Sequence, residues 1–548
     1  MLASRPRPAR TTALLMTAAA AASAGLLAPA PAGAVTGPQA ADGQPASVVR
    51  LTIGDEADAR GCTATLIDQW WLATAASCFA QTPGEHLVPA GKPALPTTAT
   101  LSDGTAAAVV DLRPRTDRDL VLARLAAPAT GLAGVRRATA SPQTGSELTA
   151  AGFGRTGTVW VPDRPHTGAF TLDSADATTL SITGKGTDAI CKGDTGGPLL
   201  NAQGELVGVN SRSWQGGCLG TDATETRTGA VSARIDDLAD WVQDVRALTP
   251  GWKAETVVQA GTGLYQGIRL ADGSWTAFTD VQSEAGDIGG VRAAAVAGIN
   301  GDTHVVALGG DGHLRHVVRS ADGTWGTFGD VNSQAGALND VTRVSAVSIG
   351  TSLHVVAVAG GKVYHTVRGA DGRWTRFGDV AVATGGPIGT VTAVATASAG
   401  GELQLVAVSG GKAYHTVRRT SGVWTVWGDV ARAAGATGPV TAVTMAGAGS
   451  DAHLVIATDG GSRQYHAMRY GNGTWAQFGD LKGYLGAVTA TSVGAGTVDG
   501  ELQLAVTTAD GRILHIVRHT DRTWSPAETV TVRGVTGTLG PVSLAGTL

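Results

Sequence analysis

The pattern HVVR at His316 returns as HTVR at His365, HTVR at His415, HAMR at His466 and HIVR at His515, in steps of 49 to 51 residues. QGIR at Gln266 is a sixth, weaker copy. Behind each copy stands a tryptophan: Trp275, Trp325, Trp374, Trp424, Trp475 and Trp524. The dipeptides between them (Asp272-Gly273, Asp322-Gly323, Asp371-Gly372, Ser421-Gly422, Asn472-Gly473) supply the positive φ angles of tight hairpins. One unit reads as four strands: VTAVATA (391–397), LQLVAV (403–408), KAYHTVR (412–418) and VWTVWGDV (423–430). A period near 50 with four strands per unit is the pattern of a β-propeller. The first copy lacks its opening strand, and the chain ends on a strand of the missing type, PVSLAGTL (541–548). The expectation is six four-stranded blades over 252–548, closed by the last strand so that no edge stays free.

The first half is different. All four cysteines (Cys62, Cys78, Cys191, Cys218) precede residue 220, and ten of the twelve histidines follow residue 300. Short runs such as SVVRLTI, CTATLI and DLVLARL, broken by Gly, Pro and Asp, read as an all-β barrel or sandwich. One helix is expected at 235–246, and the seam falls at Leu248-Thr249-Pro250-Gly251. Residues 1–34 read as a secretory signal: Arg5, Arg7 and Arg10, an Ala-rich apolar run, then Ala32-Gly33-Ala34 as cleavage site. An even cysteine count in an exported chain suggests two disulfides, with three pairings open. The expectation is a secreted, extracellular protein without cofactor or metal. With a net charge of −4 and no basic block, neither nucleic acid nor a membrane is an expected partner.

Three segments carry a resemblance. GCTATLIDQWWLATAASC resembles the catalytic-histidine segment of trypsin-like (chymotrypsin-fold) serine proteases, DLVLARL at Asp119 the aspartate segment, and CKGDTGGPLL (191–200) the nucleophile segment. AAGFGRT (150–156), SWQGGC (213–218) and TGAVSARIDDLADWV (228–242) follow in the order of the family's lesser landmarks. The resemblance implies a double six-stranded β-barrel over 35–248, with disulfides Cys62–Cys78 and Cys191–Cys218. It implies an oxyanion hole at Gly193 and Thr195, and a specificity pocket at Ala189, Ser213 and Trp214. It also implies that Asp194 pairs with a new N-terminus at Val35, exposed by cleavage after Ala34.

Two of the three catalytic positions depart from the family: Ser77 stands where the histidine belongs and Thr195 where the serine belongs, leaving Asp119. A hydroxyl attacks a carbonyl only if a neighbouring base takes its proton. Imidazole suits that task because its pKa lies near 7, and serine has no comparable basicity. The methyl group of Thr195 also restricts its rotamers. A triad lacking a member keeps roughly 10³–10⁴-fold acceleration over water, too little for a working protease. The expectation is a catalytically impaired homologue that retains a cleft for a peptide or protein. The alternative is a serine-type endopeptidase, active or weakly active, using Thr195 with an unconventional base. His86 and His166, both expected in loops, and Lys192 are the candidates for that base. Asp119 is expected to bond Ser77, Ser213 or water.

In the propeller, Arg368 with Asp379 and Arg418 with Asp429 are expected as repeated ion pairs within a blade, and the histidines as structural. The repeats resemble bacterial and horseshoe-crab propeller lectins, in which sugars bind between blades. That resemblance implies carbohydrate binding at several weak sites summed by avidity, with no binding residue assignable from sequence; protein binding and a purely architectural role are the alternatives.

Overall fold

The computed structural model describes residues 39–40, 45–55, 59–82 and 84–548. The proposed signal and Val35 lie outside them. The described part of the first half forms two closed barrels. The first runs in the order β1 (Val48–Ile53), β2 (Arg60–Leu66), β3 (Trp71–Thr74), β6 (Val121–Leu125), β5 (Ala106–Pro114), β4 (Thr97–Thr100). The second runs β10 (Pro198–Leu200), β11 (Leu206–Ser213), β12 (Gly229–Arg234), β9 (Thr179–Gly184), β8 (His166–Ala175), β7 (Glu147–Gly152). Inward residues such as Leu51, Ala64, Leu72 and Leu122 are fully buried in the first barrel, and Leu148, Phe170 and Leu180 in the second. Both expected disulfides are present, Cys62–Cys78 and Cys191–Cys218.

Helix α1 (Ala239–Arg246) is shorter than expected. Residues 235–238 form a turn instead, where Asp236 pairs with Arg234 at 2.7 Å. His166 is not in a loop: it opens β8, buried opposite Gly152. Among the described residues, no helix is long and apolar enough to cross a membrane.

Six four-stranded sheets follow. The first blade consists of Thr279–Asp280, β14 (Gly263–Arg269), β13 (Lys253–Ala260) and the C-terminal strand Leu539–Thr547. Val258 lies opposite Val542 and Thr256 opposite Leu544, so the end of the chain supplies the strand that the first repeat lacks. The innermost strands converge on a central channel of about 790 Å³. Crowding there selects glycine: a Cβ on Gly298 would lie 2.2 Å from the Gly546 carbonyl oxygen, and one on Gly447 1.8 Å from that of Ser398.

The fourth strand of each unit is much shorter than its sequence suggests. In the fourth blade it is Gly428–Asp429, with one isolated bridge joining Arg418 and Trp424. The cause is helix capping: Asp429 accepts from the Ala431 N–H at 2.9 Å and starts the helix Val430–Ala434. Asp379 caps Val380–Ala383 in the same way. Each carboxylate is thus committed to a helix N-terminus, and the expected Arg368–Asp379 and Arg418–Asp429 ion pairs are not formed among the described residues.

The repeated histidine is structural. His304 and His316 share a hydrogen bond at 3.0 Å, His354 and His365 at 3.1 Å, His453 and His466 at 2.9 Å. In the fourth blade Gln404 replaces the first member of the pair and meets His415 at 3.0 Å. The tryptophan of the following blade packs edge-to-face on each ring, as Trp374 does on His316 and Trp424 on His365. Burial, the paired ring and the next blade's arginine push His316 and His365 down to about 3, and burial with that arginine pushes His304 and His354 to about 4. These rings stay neutral in the folded chain while their unfolded counterparts protonate near 6.5. The stability they confer is therefore full above about pH 6.5 and lost as pH falls toward 4. Replacing His304, His354 and His453 together by Gln, as nature does at Gln404, will flatten the fall of melting temperature over that window. Calorimetric scans from pH 7 to pH 4 on the variant and the parent read this directly.

Candidate functional site

The cleft between the barrels is assembled from loops that the two barrels exchange. Thr63 on β2 is the hinge: its N–H donates to the Thr195 carbonyl at 2.9 Å, and its hydroxyl donates to the Gly193 carbonyl at 2.8 Å. The Cys62–Cys78 disulfide ties the same strand to the short 3-10 turn Ala76–Cys78, which carries Ser77. Arg118, almost wholly buried, donates to Asp237 at 2.8 and 3.0 Å and to the Arg234 carbonyl at 3.1 Å. It thereby fixes the loop bearing Asp119 against the second barrel.

Ser77, Asp119 and Thr195 are brought to one place. The Ser77 hydroxyl donates to Asp119 at 2.8 Å, and its N–H donates to the other carboxylate oxygen at 2.7 Å. The Ser211 hydroxyl adds a third bond at 2.6 Å. Asp119 is thus satisfied by two serines. The expected partner Ser213 faces elsewhere and donates to the Ile190 carbonyl. The β11–β12 register shifts between Asn210 and Arg212, so a bulge at Ser211 re-aims this residue. The Thr195 hydroxyl has one partner among the described residues, the Ser211 carbonyl at 3.4 Å. His166 belongs to β8 and Lys192 is exposed.

Gly193 has φ 102°, and a Cβ there would meet the Gly154 Cα at 2.8 Å, so only glycine fits this turn. Among the described residues, neither the Gly193 nor the Thr195 N–H is committed to an acceptor. Ala189 is fully buried beside the Cys191–Cys218 bridge, and Asp188 turns away to accept from the Ala169 N–H at 2.7 Å. The floor of the pocket position is therefore apolar. Trp214 is 55% exposed at the rim, with the Arg227 guanidinium 3.5 Å from its ring centre. Arg227 is held in turn by Glu225 at 2.5 Å.

Asp194 is fully buried and accepts from the Gly154 N–H at 2.7 Å and the Cys191 N–H at 2.9 Å. Gly152 and Gly154 leave it room: a Cβ on either would fall within 2.6 Å of a carboxylate oxygen. Loss of hydration outweighs these two bonds and pushes its carboxyl up to about 7.

Two closed six-stranded barrels, with a GDTGGP loop facing an Asp119 loop across their junction, define the chymotrypsin-fold class. Residues 34–242 match the trypsin family model. This segment is a trypsin-like domain, fused here to a six-bladed propeller. No curated protein matches the chain.

The resemblance to trypsin-like proteases points to Ser77, Asp119, Thr195, Gly193 and Asp194 in the sequence. It does not reveal Ser211, Thr63 or Arg118. Ser211 is disguised by the bulge, while Thr63 and Arg118 act only across the barrel interface. A form of the protein with a blocked or extended N-terminus will have no ammonium to offer Asp194. Its folded state then holds a proton that the unfolded chain loses near 3.8, so stability falls as pH rises from about 4 to about 7. Comparing melting temperatures at pH 4.5 and 7.5 between the blocked form and one with a free Val35 terminus isolates this effect from other titrations.

Proposed function

We propose that this is a secreted, catalytically impaired trypsin-like protein whose propeller binds extracellular glycans. The observation that carries the first part is the bonding of Ser77 to Asp119. The carboxylate that orients an imidazole in an active triad is here spent on two hydroxyl groups, and Thr195 faces a carbonyl, which cannot accept its proton usefully. Both disulfides suit an oxidising exterior. The cleft keeps donors and an apolar floor for an extended peptide, which makes it a site for holding a chain without cutting it.

Val35 belongs to this proposal as the residue whose ammonium neutralises Asp194. Gln39 bridges to His166, which pairs across the sheet with Gly152, and Gly152 abuts Asp194. Val35 precedes Gln39 by four residues, a reach of about 13 Å when extended, which is compatible with such a path.

For the propeller, support comes from repetition. Each blade boundary combines a half-buried tryptophan with an arginine on a rigid ring. Between the fifth and sixth blades a cavity of about 200 Å³ is lined by His453, Tyr470, Arg518 and His519. Flat aromatic faces and fixed polar groups together match the C–H and hydroxyl surfaces of a sugar, and repetition around one disc favours multivalent attachment.

A broad peptide library incubated with the purified chain should show no cleavage above background, and none that Thr195→Ala abolishes. Turnover that vanishes in that variant would establish the protein as an enzyme. The double change Ser77→His with Thr195→Ser should restore labelling by a fluorophosphonate probe if the cleft is otherwise intact. On a glycan array the full chain should bind a subset of sugars, with signal reduced by Arg518→Ala. An array without signal would remove the lectin reading.

A further inference from the structure

Helix α1 does not end free. Arg246 at its last turn bridges Asp68 of the first barrel at 2.5 Å and Asp272 of the first blade at 2.6 Å. Asp240 pairs with Arg533, in the loop before the closing strand, at 2.9 Å. The Trp71 indole N–H, from the barrel core, donates to Thr249 in the seam at 2.7 Å. These contacts hold the helix over the boundary between the first and second blades, and leave a cavity of about 350 Å³ beneath it. That is the small end of the range for ligand pockets, ~300–1,000 Å³, and such pockets favour domain junctions.

Both domains build this cavity. Trp241 and Asp244 come from α1, Arg113 from β5, Arg319 and Trp325 from the second blade, and Glu284 from the short helix Val281–Ala285. The corresponding position between the fifth and sixth blades, where Arg518 is the counterpart of Arg319, is lined by those two blades alone.

The charges around it are incomplete. Arg113 is engaged by Asp111 at 3.0 Å. Asp244 is touched by no hydrogen-bond donor among the described residues and feels only distant charges: Asp240 from its own helix, Arg319 from the second blade and Arg533 from the closing loop. Asp244 keeps an open edge toward the cavity, yet loss of hydration between the two domains, with Asp240, pushes its carboxyl up to about 6. The Arg319 side chain likewise donates no hydrogen bond to a described residue, and no ion pair within 4.0 Å joins it to Asp244. The Asp244 carboxylate and the Arg319 guanidinium, whose charge is also felt by Asp322 in the same lining, thus border one cavity without meeting. Asp244 is exposed and Arg319 half-buried, so both remain accessible to a ligand. They are completed by a bridging molecule with one group of each sign, and the indoles of Trp241 and Trp325 offer that molecule an apolar surface.

We propose that this junction cavity binds a small zwitterion of the α-amino acid class, its ammonium on Asp244 and its carboxylate on Arg319, with the side chain against the two indoles. Glu284 adds negative potential for the ammonium. The site is independent of the glycan reading, and because each domain supplies one charge it exists only while the domains are docked.

The test titrates the full chain with L-leucine and L-phenylalanine, and with their N-acetyl and amide derivatives, by calorimetry and tryptophan fluorescence. One free amino acid should bind per chain. Loss of the ammonium in the N-acetyl form, or of the carboxylate in the amide, should weaken binding at least tenfold. Asp244→Asn and Arg319→Gln should each do the same. The proposal fails if neither amino acid gives a signal, which would mean a cavity filled by water alone. It fails equally if the derivatives bind as well as the parent compounds, or if binding survives both substitutions. Should a variant fold poorly, the derivative series on the unaltered chain still decides.

Discussion

The handling of sheet edges is the constraint on which this molecule depends: the barrels close, and each blade keeps only a two-residue outer strand. A β-sheet edge exposes a row of unpaired N–H and C=O groups, and strands are the main regular structure of the described residues. Two barrels close on themselves, and the propeller closes when Leu539–Thr547 pairs with β13 at the start of the ring. That last pairing joins residues nearly three hundred positions apart, so the ring closes only once residues 539–547 are in place. It also brings Arg533, in the loop leading to the closing strand, beside Asp240 on α1. Ring closure and domain docking therefore share the same stretch of chain, and the cleft of the first domain is held in a set direction relative to the disc.

Within that frame, the trypsin-like domain keeps its two-barrel architecture while Ser77 and Thr195 stand at two of the positions that the resemblance assigns to catalysis. The scaffold of the site is intact: Thr63 clamps the 193–195 loop, Arg118 holds the Asp119 loop, and glycines surround Asp194. Asp119 remains useful because a carboxylate inside a cleft needs donors whether or not catalysis follows. Ser77 supplies two of them, one from its side chain and one from its backbone.

Much of this was legible beforehand. The 50-residue period announced six blades, and the orphan strand at the end announced how they close. The GDTGGP loop and the TAASC segment, by their resemblance to trypsin-like proteases, pointed to Thr195 and Ser77. What escaped was of two kinds. Asp379 and Asp429 looked like partners for Arg368 and Arg418, but each caps a helix too short to show a helical period. Ser211 escaped because a β-bulge breaks the two-residue alternation on which any count along a strand relies.

Sequence alone determined the number of repeats, the identity of the cysteines and the absence of histidine and serine at positions 77 and 195, because these are matters of residue type and interval. Tertiary structure decided that Ser211 rather than Ser213 completes the shell of Asp119. It also decided that the repeated histidines stay neutral, three of them bonded to a second histidine, and that a cavity bordered by opposite charges lies under α1. Those outcomes depend on which surfaces meet across barrels, blades and domains, and distances between segments remote in the chain are set by packing, which no local pattern of residues encodes.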